Sequence, residues 1–125
     1  MGEVTARLRF TGYAALWDRP DRAGDVFRAE AFAAGTVPLL WQHRGAPVGS
    51  VTVRTDATGL AVSARIMDQN ITELVRCGAL GGLSVGYRPR IVQHGAWREI
   101  LLADLVEVSL VTQPMQPGAR VMAVF

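Results

Sequence analysis

The chain has 125 residues, half of them hydrophobic, with a net charge of +2 and thirteen basic residues that are all arginine. That length suits one domain with a substantial core, expected over residues 1–125, and the hydrophobic fraction argues against long disordered segments. One cysteine excludes an internal disulfide and multi-cysteine zinc patterns, two histidines without ligand-like spacing give no metal signal, and scattered arginines lack the stripe of a nucleic-acid surface.

From the N-terminus onward, MGEVTARLRF lacks the apolar region of a signal peptide, and no apolar run approaches the ~20 residues of a membrane span. A cytoplasmic protein without membrane contact is therefore expected. Residues 4–17 alternate apolar and polar and read as a long strand or a bent strand pair, with Leu8, Phe10, Tyr13 and Leu16 as core candidates. Residues 18–25 form a loop by their turn chemistry, and residues 26–34 (VFRAEAFAA) are a weaker candidate for a short helix. Residues 37–42 read as a strand ending near His43, followed by a turn at 44–47 and a strand at 48–54. Residues 56–59 are a hairpin connection into a strand at 60–66. Residues 68–78 carry polar N-cap candidates, apolar Ile71, Leu74 and Val75, and a closing glycine, which together predict a helix. Residues 83–93, then 97–112 as one or two strands, and finally 120–125 complete the pattern. About seven short strands with one or two helices argue for a mainly β, antiparallel, barrel-like domain.

Several side chains could carry chemistry. Ser84 lies in GGLSVGY, a match to the G-x-S-x-G nucleophile elbow, but an elbow has a strand before its serine and a helix after it. Here the predicted helix precedes and a strand follows, so Ser84 is either a turn serine or a nucleophile of another kind. A hydrolase of small esters shares the nucleophile but lacks the expected chain order. Cys77, at the end of the predicted helix where the dipole disfavours a thiolate, reads as a buried packing residue. His43 closes an apolar run and is either a hydrogen-bonded core residue or an imidazole offered as a general base. Alternation along residues 101–111 puts Leu105, Glu107, Ser109 and Val111 on one face. A carboxylate there needs a partner such as a histidine, or else a solvated outer face. Asp104 reads as a turn or cap residue.

Four blocks in order resemble the prohead proteases of tailed phages, serine proteases of capsid maturation that also occur in prophages and gene transfer agents. They are F-x-G-Y-A-A-x-W-D at residues 10–18, L-L-W-x-H with P-V-G at 39–49, G-A-L-x-G-L-S-V-G-Y at 78–87, and L-x-E-V-S-L-V-T-x-P-M at 105–115. The resemblance implies a barrel of about seven strands flanked by helices, shared with the herpesvirus assembly proteases. It also implies peptide hydrolysis with Ser84 as nucleophile and His43 as the base that later protonates the leaving amine. Glu107 is the implied third member, with His94 and Asp104 as runners-up, since herpesvirus relatives use a second histidine there. Backbone N–H groups in the loop of Met115, Gly118 and Ala119 are the implied oxyanion donors. The glycines beside Ser84 read as room for a substrate backbone. The implied partners are the scaffold and the N-terminal region of the major capsid protein, cut inside the procapsid, with no cofactor, no metal and no nucleic acid. Homo-oligomerisation stays open, because herpesvirus relatives are activated by dimerisation. The last predicted strand is followed by almost nothing, so self-processing is expected to be absent or confined to a few terminal residues. A non-catalytic assembly factor that binds scaffold with the same barrel is the alternative.

Overall fold

The computed structural model describes residues 8–125; the part of the first predicted strand before Leu8 lies outside them. In chain order the elements are β1 (Leu8–Leu16), β2 (Asp25–Phe27), β3 (Gly35–Trp41), β4 (Arg44–Thr55), β5 (Gly59–Ile66), α1 (Gln69–Arg76), β6 (Gly82–His94), β7 (Arg98–Val111) and β8 (Arg120–Val124). The strands run in the order β2-β7-β3-β4-β5-β1-β8-β6, and β6 returns to pair with β7, which closes the barrel. Seven are longer strands and β2 is a three-residue piece, so the mainly β barrel with one helix among the described residues matches the pattern in the sequence.

The core follows from strict alternation. Along β5, Leu60, Val62, Ala64 and Ile66 point inward while Ser63 and Arg65 face solvent. They meet Phe10 of β1, Leu39 of β3, Val51 and Val53 of β4, and Val108 and Leu110 of β7. Each fully buried large aliphatic side chain contributes about 1.5–3 kcal/mol. The β4–β5 hairpin is tied at its tip by Asp56, whose Oδ1 accepts from Thr58 N (2.8 Å) and Gly59 N (3.0 Å).

The helix forms as its sequence predicts. Asp68 caps it, accepting from Ile71 N at 2.9 Å, and Ile71, Thr72 and Val75 turn toward the barrel. Cys77 is the C-cap, and it is exposed rather than buried. It falls on the outward side, away from the stripe set by Ile71 and Val75.

Three further expectations are corrected. First, residues 26–34 are not helical: Val26 and Phe27 pair with β7, and the following turns dock on the same strand through Arg28 N→Ile100 O (3.1 Å) and Ala103 N→Ala31 O (2.9 Å). Backbone groups offered by the open edge of β7 outweigh the helix-like composition, and Phe27, Phe32 and Tyr87 stack there with centroids 5.0–6.0 Å apart. Second, the barrel is mixed rather than antiparallel, because β2 and β3 both run parallel to β7. The long excursion between β3 and β7 supplies the crossover that a parallel pair requires. Third, the β3–β4 turn is Gln42-His43, not 44–47, with Trp41 opposite Arg44.

Candidate active site

β6 and β7 pair with Gly82 opposite Val111, Ser84 opposite Ser109, and Gly86 opposite Glu107. Side chains on alternate residues share a face, so Ser84, Ser109 and Glu107 lie together, while Leu83, Val108 and Leu110 pack into the core. The register slips between Gly86 and Tyr87, where Val106 is the extra residue on β7. Such a bulge beside a site re-aims side chains, and here it leaves Val106 outward and Glu107 at only 7 % exposure.

Of the three glycines around Ser84, Gly82 and Gly86 are not open space, whereas a Cβ on Gly81 would meet nothing within 4 Å. A Cβ on Gly86 would stand 2.3 Å from Glu107 Oε1, 2.8 Å from its Cδ and 2.9 Å from its Cγ. A Cβ on Gly82 would meet Val111 O at 2.7 Å and the Pro114 ring at 2.8 Å. Gly86 is thus a cradle for the carboxylate, and Gly82 lets the 112–119 loop close over β6. The expectation of room for a substrate backbone is corrected at Gly82 and Gly86 by that packing, and open space is left at Gly81 alone of the three.

His43 arrives from the β3–β4 turn. Gln42 and His43 have φ of 54° and 61°, the left-handed pair a two-residue type I′ hairpin demands, although neither is glycine. Each costs roughly 1–2 kcal/mol over a right-handed residue. Backbone strain of this kind concentrates at functional sites and persists only where surrounding contacts over-determine it. Those contacts come from β7: Gln42 N donates to Leu110 O (3.0 Å) and His43 N donates to Ser109 Oγ (3.1 Å). The imidazole Nδ1 then lies 2.6 Å from Glu107 Oε1, and Ser109 Oγ donates to Glu107 Oε2 at 2.7 Å. The His43 side chain is 43 % exposed over a carboxylate that is 9 % exposed.

Ser84, 8 % exposed, and His43 together line a cavity of about 160 Å³ whose other walls include Ala14, Asp21, Phe27 and Met115. An imidazole tethered at Nδ1 by a carboxylate leaves Nε2 as the basic atom, an arrangement suited to activating a hydroxyl in the same cavity.

The runners-up lie elsewhere. Asp104 is exposed and ion-paired to Arg90 Nε at 2.6 Å, and His94 is exposed at the far end of β6. In the loop, Met115 reaches the cavity, whereas Gly118 (φ 92°) packs under Leu16 and does not line it. Ala119 is fully buried; its N–H donates to Gln116 O (3.1 Å) and its carbonyl accepts from Leu83 N (2.9 Å). That pins the loop one residue before Ser84.

Two residues of the site's frame escaped sequence reasoning. Gln116, 4 % exposed, accepts from Leu16 N (2.7 Å) and donates to Leu16 O and Arg19 O (2.9 Å each), clamping the loop to the end of β1. Asp25 is held by Arg98, with Nε to Oδ1 and Nη2 to Oδ2 both 2.8 Å, and by Tyr87. The Arg98 hydrogen bonds keep the Asp25 carboxyl below its ordinary range despite burial, while burial and Asp25 push the Tyr87 phenol up. On the cavity wall, burial raises Asp21, whose Oδ1 accepts from Ala23 N and Asp25 N. The only signal for Gln116 and Asp25 was a polar residue next to an apolar one, Met115 and Val26 respectively.

Among the described residues no cluster of His, Cys, Asp or Glu could hold a metal, and no helix is long and apolar enough to cross a membrane.

Comparison of the fold finds KSHV protease in complex with a hexapeptide phosphonate inhibitor, with a TM-score of 0.62 and 14 % identity over 94 % of this chain. A second KSHV protease structure gives 0.56 and 15 %, again over 94 %. This chain spans 64 % and 60 % of their respective lengths. The likeness establishes a herpesvirus-protease-like fold. No curated protein matches the sequence. A family model does, over residues 2–125, and its description is Caudovirus prohead serine protease. With that match running through all four sequence blocks and the barrel built on them, the chain belongs to the prohead serine proteases of tailed phages.

Proposed function

We propose that residues 1–125 form one protease domain, a serine endopeptidase that cuts scaffold and the N-terminal region of the major capsid protein within the assembling procapsid. The observation that carries this reading is the 2.6 Å contact between His43 Nδ1 and Glu107 Oε1 beside a cavity that His43 shares with Ser84. Ser84 Oγ attacks the scissile carbonyl while His43 Nε2 takes its proton. Glu107 holds the imidazole in the Nδ1–H tautomer and stabilises the imidazolium. The same proton passes to the leaving amine, and a water repeats the sequence to free Ser84. The backbone N–H groups of Met115 and Gln116, which line the cavity, are the oxyanion donors to test, since Gly118 lies off the cavity and the N–H of Ala119 is committed to Gln116 O. No cofactor enters these steps.

Co-expression with the neighbouring major capsid protein, followed by its intact mass, tests the reading. Truncation of its N-terminus that disappears with Ser84→Ala is expected. An untruncated partner with both versions rejects the protease and favours a scaffold-binding module.

A further inference from the structure

We infer that Ser109 is a positioning residue for the reaction, setting both the place and the tautomer of His43; this rests on the protease reading above. Ser109 is fully buried, and its hydroxyl oxygen accepts the His43 backbone N–H while its proton goes to Glu107 Oε2. A backbone N–H can only donate, so the single hydroxyl proton must point to the carboxylate. Glu107 therefore accepts at Oε2 from Ser109, and its Oε1 accepts from His43 Nδ1–H. The result is a closed ring in which His43 donates at both ends and Glu107 accepts at both: His43 N–H to Ser109, Ser109 O–H to Glu107 Oε2, and the imidazole Nδ1–H to Glu107 Oε1. In the neutral imidazole, Nε2 is then the acceptor nitrogen.

Geometry makes the ring more than a decoration. The amide of His43 belongs to a left-handed turn residue and donates to Ser109 Oγ. Ser109 meets that amide and the carboxylate at once, so one hydroxyl couples the strained backbone of His43 to the group that orients its side chain. Glu107 has three side-chain torsions and would otherwise be fixed only by Gly86 beneath it and by the imidazole that it orients. Ser109 is directly opposite Ser84 across the strand pair, which ties the base to the strand carrying the nucleophile.

The test uses a fluorophosphonate, which phosphonylates an activated serine with loss of fluoride, so no natural substrate is needed. Wild-type protein labelled at Ser84 upholds the protease reading, and failure to label there rejects that reading separately. The expected result for folded Ser109→Ala is labelling slower by about 10- to 100-fold, the scale of a displaced catalytic group. Its downfield Nδ1–H proton resonance is expected to be lost, and Ser109→Thr is expected to restore both. Wild-type labelling by Ser109→Ala overturns the inference. So does slow labelling with the downfield proton intact, because that loss would come from packing alone. If Ser109→Ala does not fold, the shape-matched pair Ser109→Thr and Ser109→Val decides it: equal rates and equal spectra overturn the role, and a deficit confined to Ser109→Val upholds it.

Discussion

Replacing Gly86 by alanine adds one methyl group at the place where the Glu107 side chain lies. Its position 2.3 Å from Oε1, 2.8 Å from Cδ and 2.9 Å from Cγ is far inside the ~3.5 Å at which nonbonded atoms rest. Gly86 is held on β7 by the strand ladder, so the carboxylate is what moves, by about 1 Å or more. The His43–Glu107 contact of 2.6 Å then stretches past the hydrogen-bond limit. A misplacement of about 1 Å costs ~10²-fold, and complete loss of the third triad member costs ~10⁴-fold. Gly86→Ala is therefore expected to slow fluorophosphonate labelling of Ser84 by about 10²- to 10⁴-fold, equivalent to ~3–5 kcal/mol of transition-state stabilisation. Overpacking adds about 1–3 kcal/mol of destabilisation, readable in urea unfolding as a separate quantity. The cycle with Glu107→Ala isolates the cause: once the carboxylate is gone, Gly86→Ala should have almost no further effect on labelling. A folded Gly86→Ala protein labelled at the wild-type rate refutes the cradle, and so does an equal loss in the Glu107→Ala background.

Gln42 sits at φ 54° with only a 3.4 Å side-chain contact to Thr112, so Gln42→Gly should relieve about 1 kcal/mol and raise Tm by ~4 °C; an unchanged or lowered Tm contradicts strain at the turn. Asp25 has its carboxyl lowered from 3.8 by Arg98, so its contribution to stability is complete above that value and is lost as pH falls through the lowered one. Arg98→Ala leaves a buried carboxyl without its cation and should move the acid-unfolding midpoint to higher pH; identical midpoints would show that the pair is not coupled to folding.

The parts legible in the sequence are those whose determinants are local. Asp68 caps a helix whose apolar stripe and closing glycine follow within ten residues, and the Asp56 hairpin carries its own turn chemistry. The strand of Glu107 was legible by alternation, and the need of that carboxylate for a partner followed from burial cost. The identity of the partner did not, because His43 lies 64 residues away and meets Glu107 only through a parallel pairing of β3 with β7 that no local pattern encodes. The segment at 26–34 misled for the same reason: its partner, the β7 edge, is distant in sequence. Gly86 read as room for a substrate backbone, and its purpose appears only when the opposite strand supplies the atoms that fill its missing Cβ. Ser109 carried no signal beyond its alternation, since a buried serine is defined by what it bonds.

The parallel seam between β3 and β7 also bears on when the protein becomes competent. His43 and Ser109 are separated by 66 residues, and two antiparallel hairpins and the helix lie along or between them. Closing a loop of that length costs entropy before any contact repays it, so such a pairing forms late. On the proposed mechanism, a chain emerging from the ribosome exposes Ser84 before β7 is complete, at a stage when the serine has no positioned base. Reactivity would then arrive only with the β3–β7 pairing, and an incompletely folded copy would be harmless to the proteins around it.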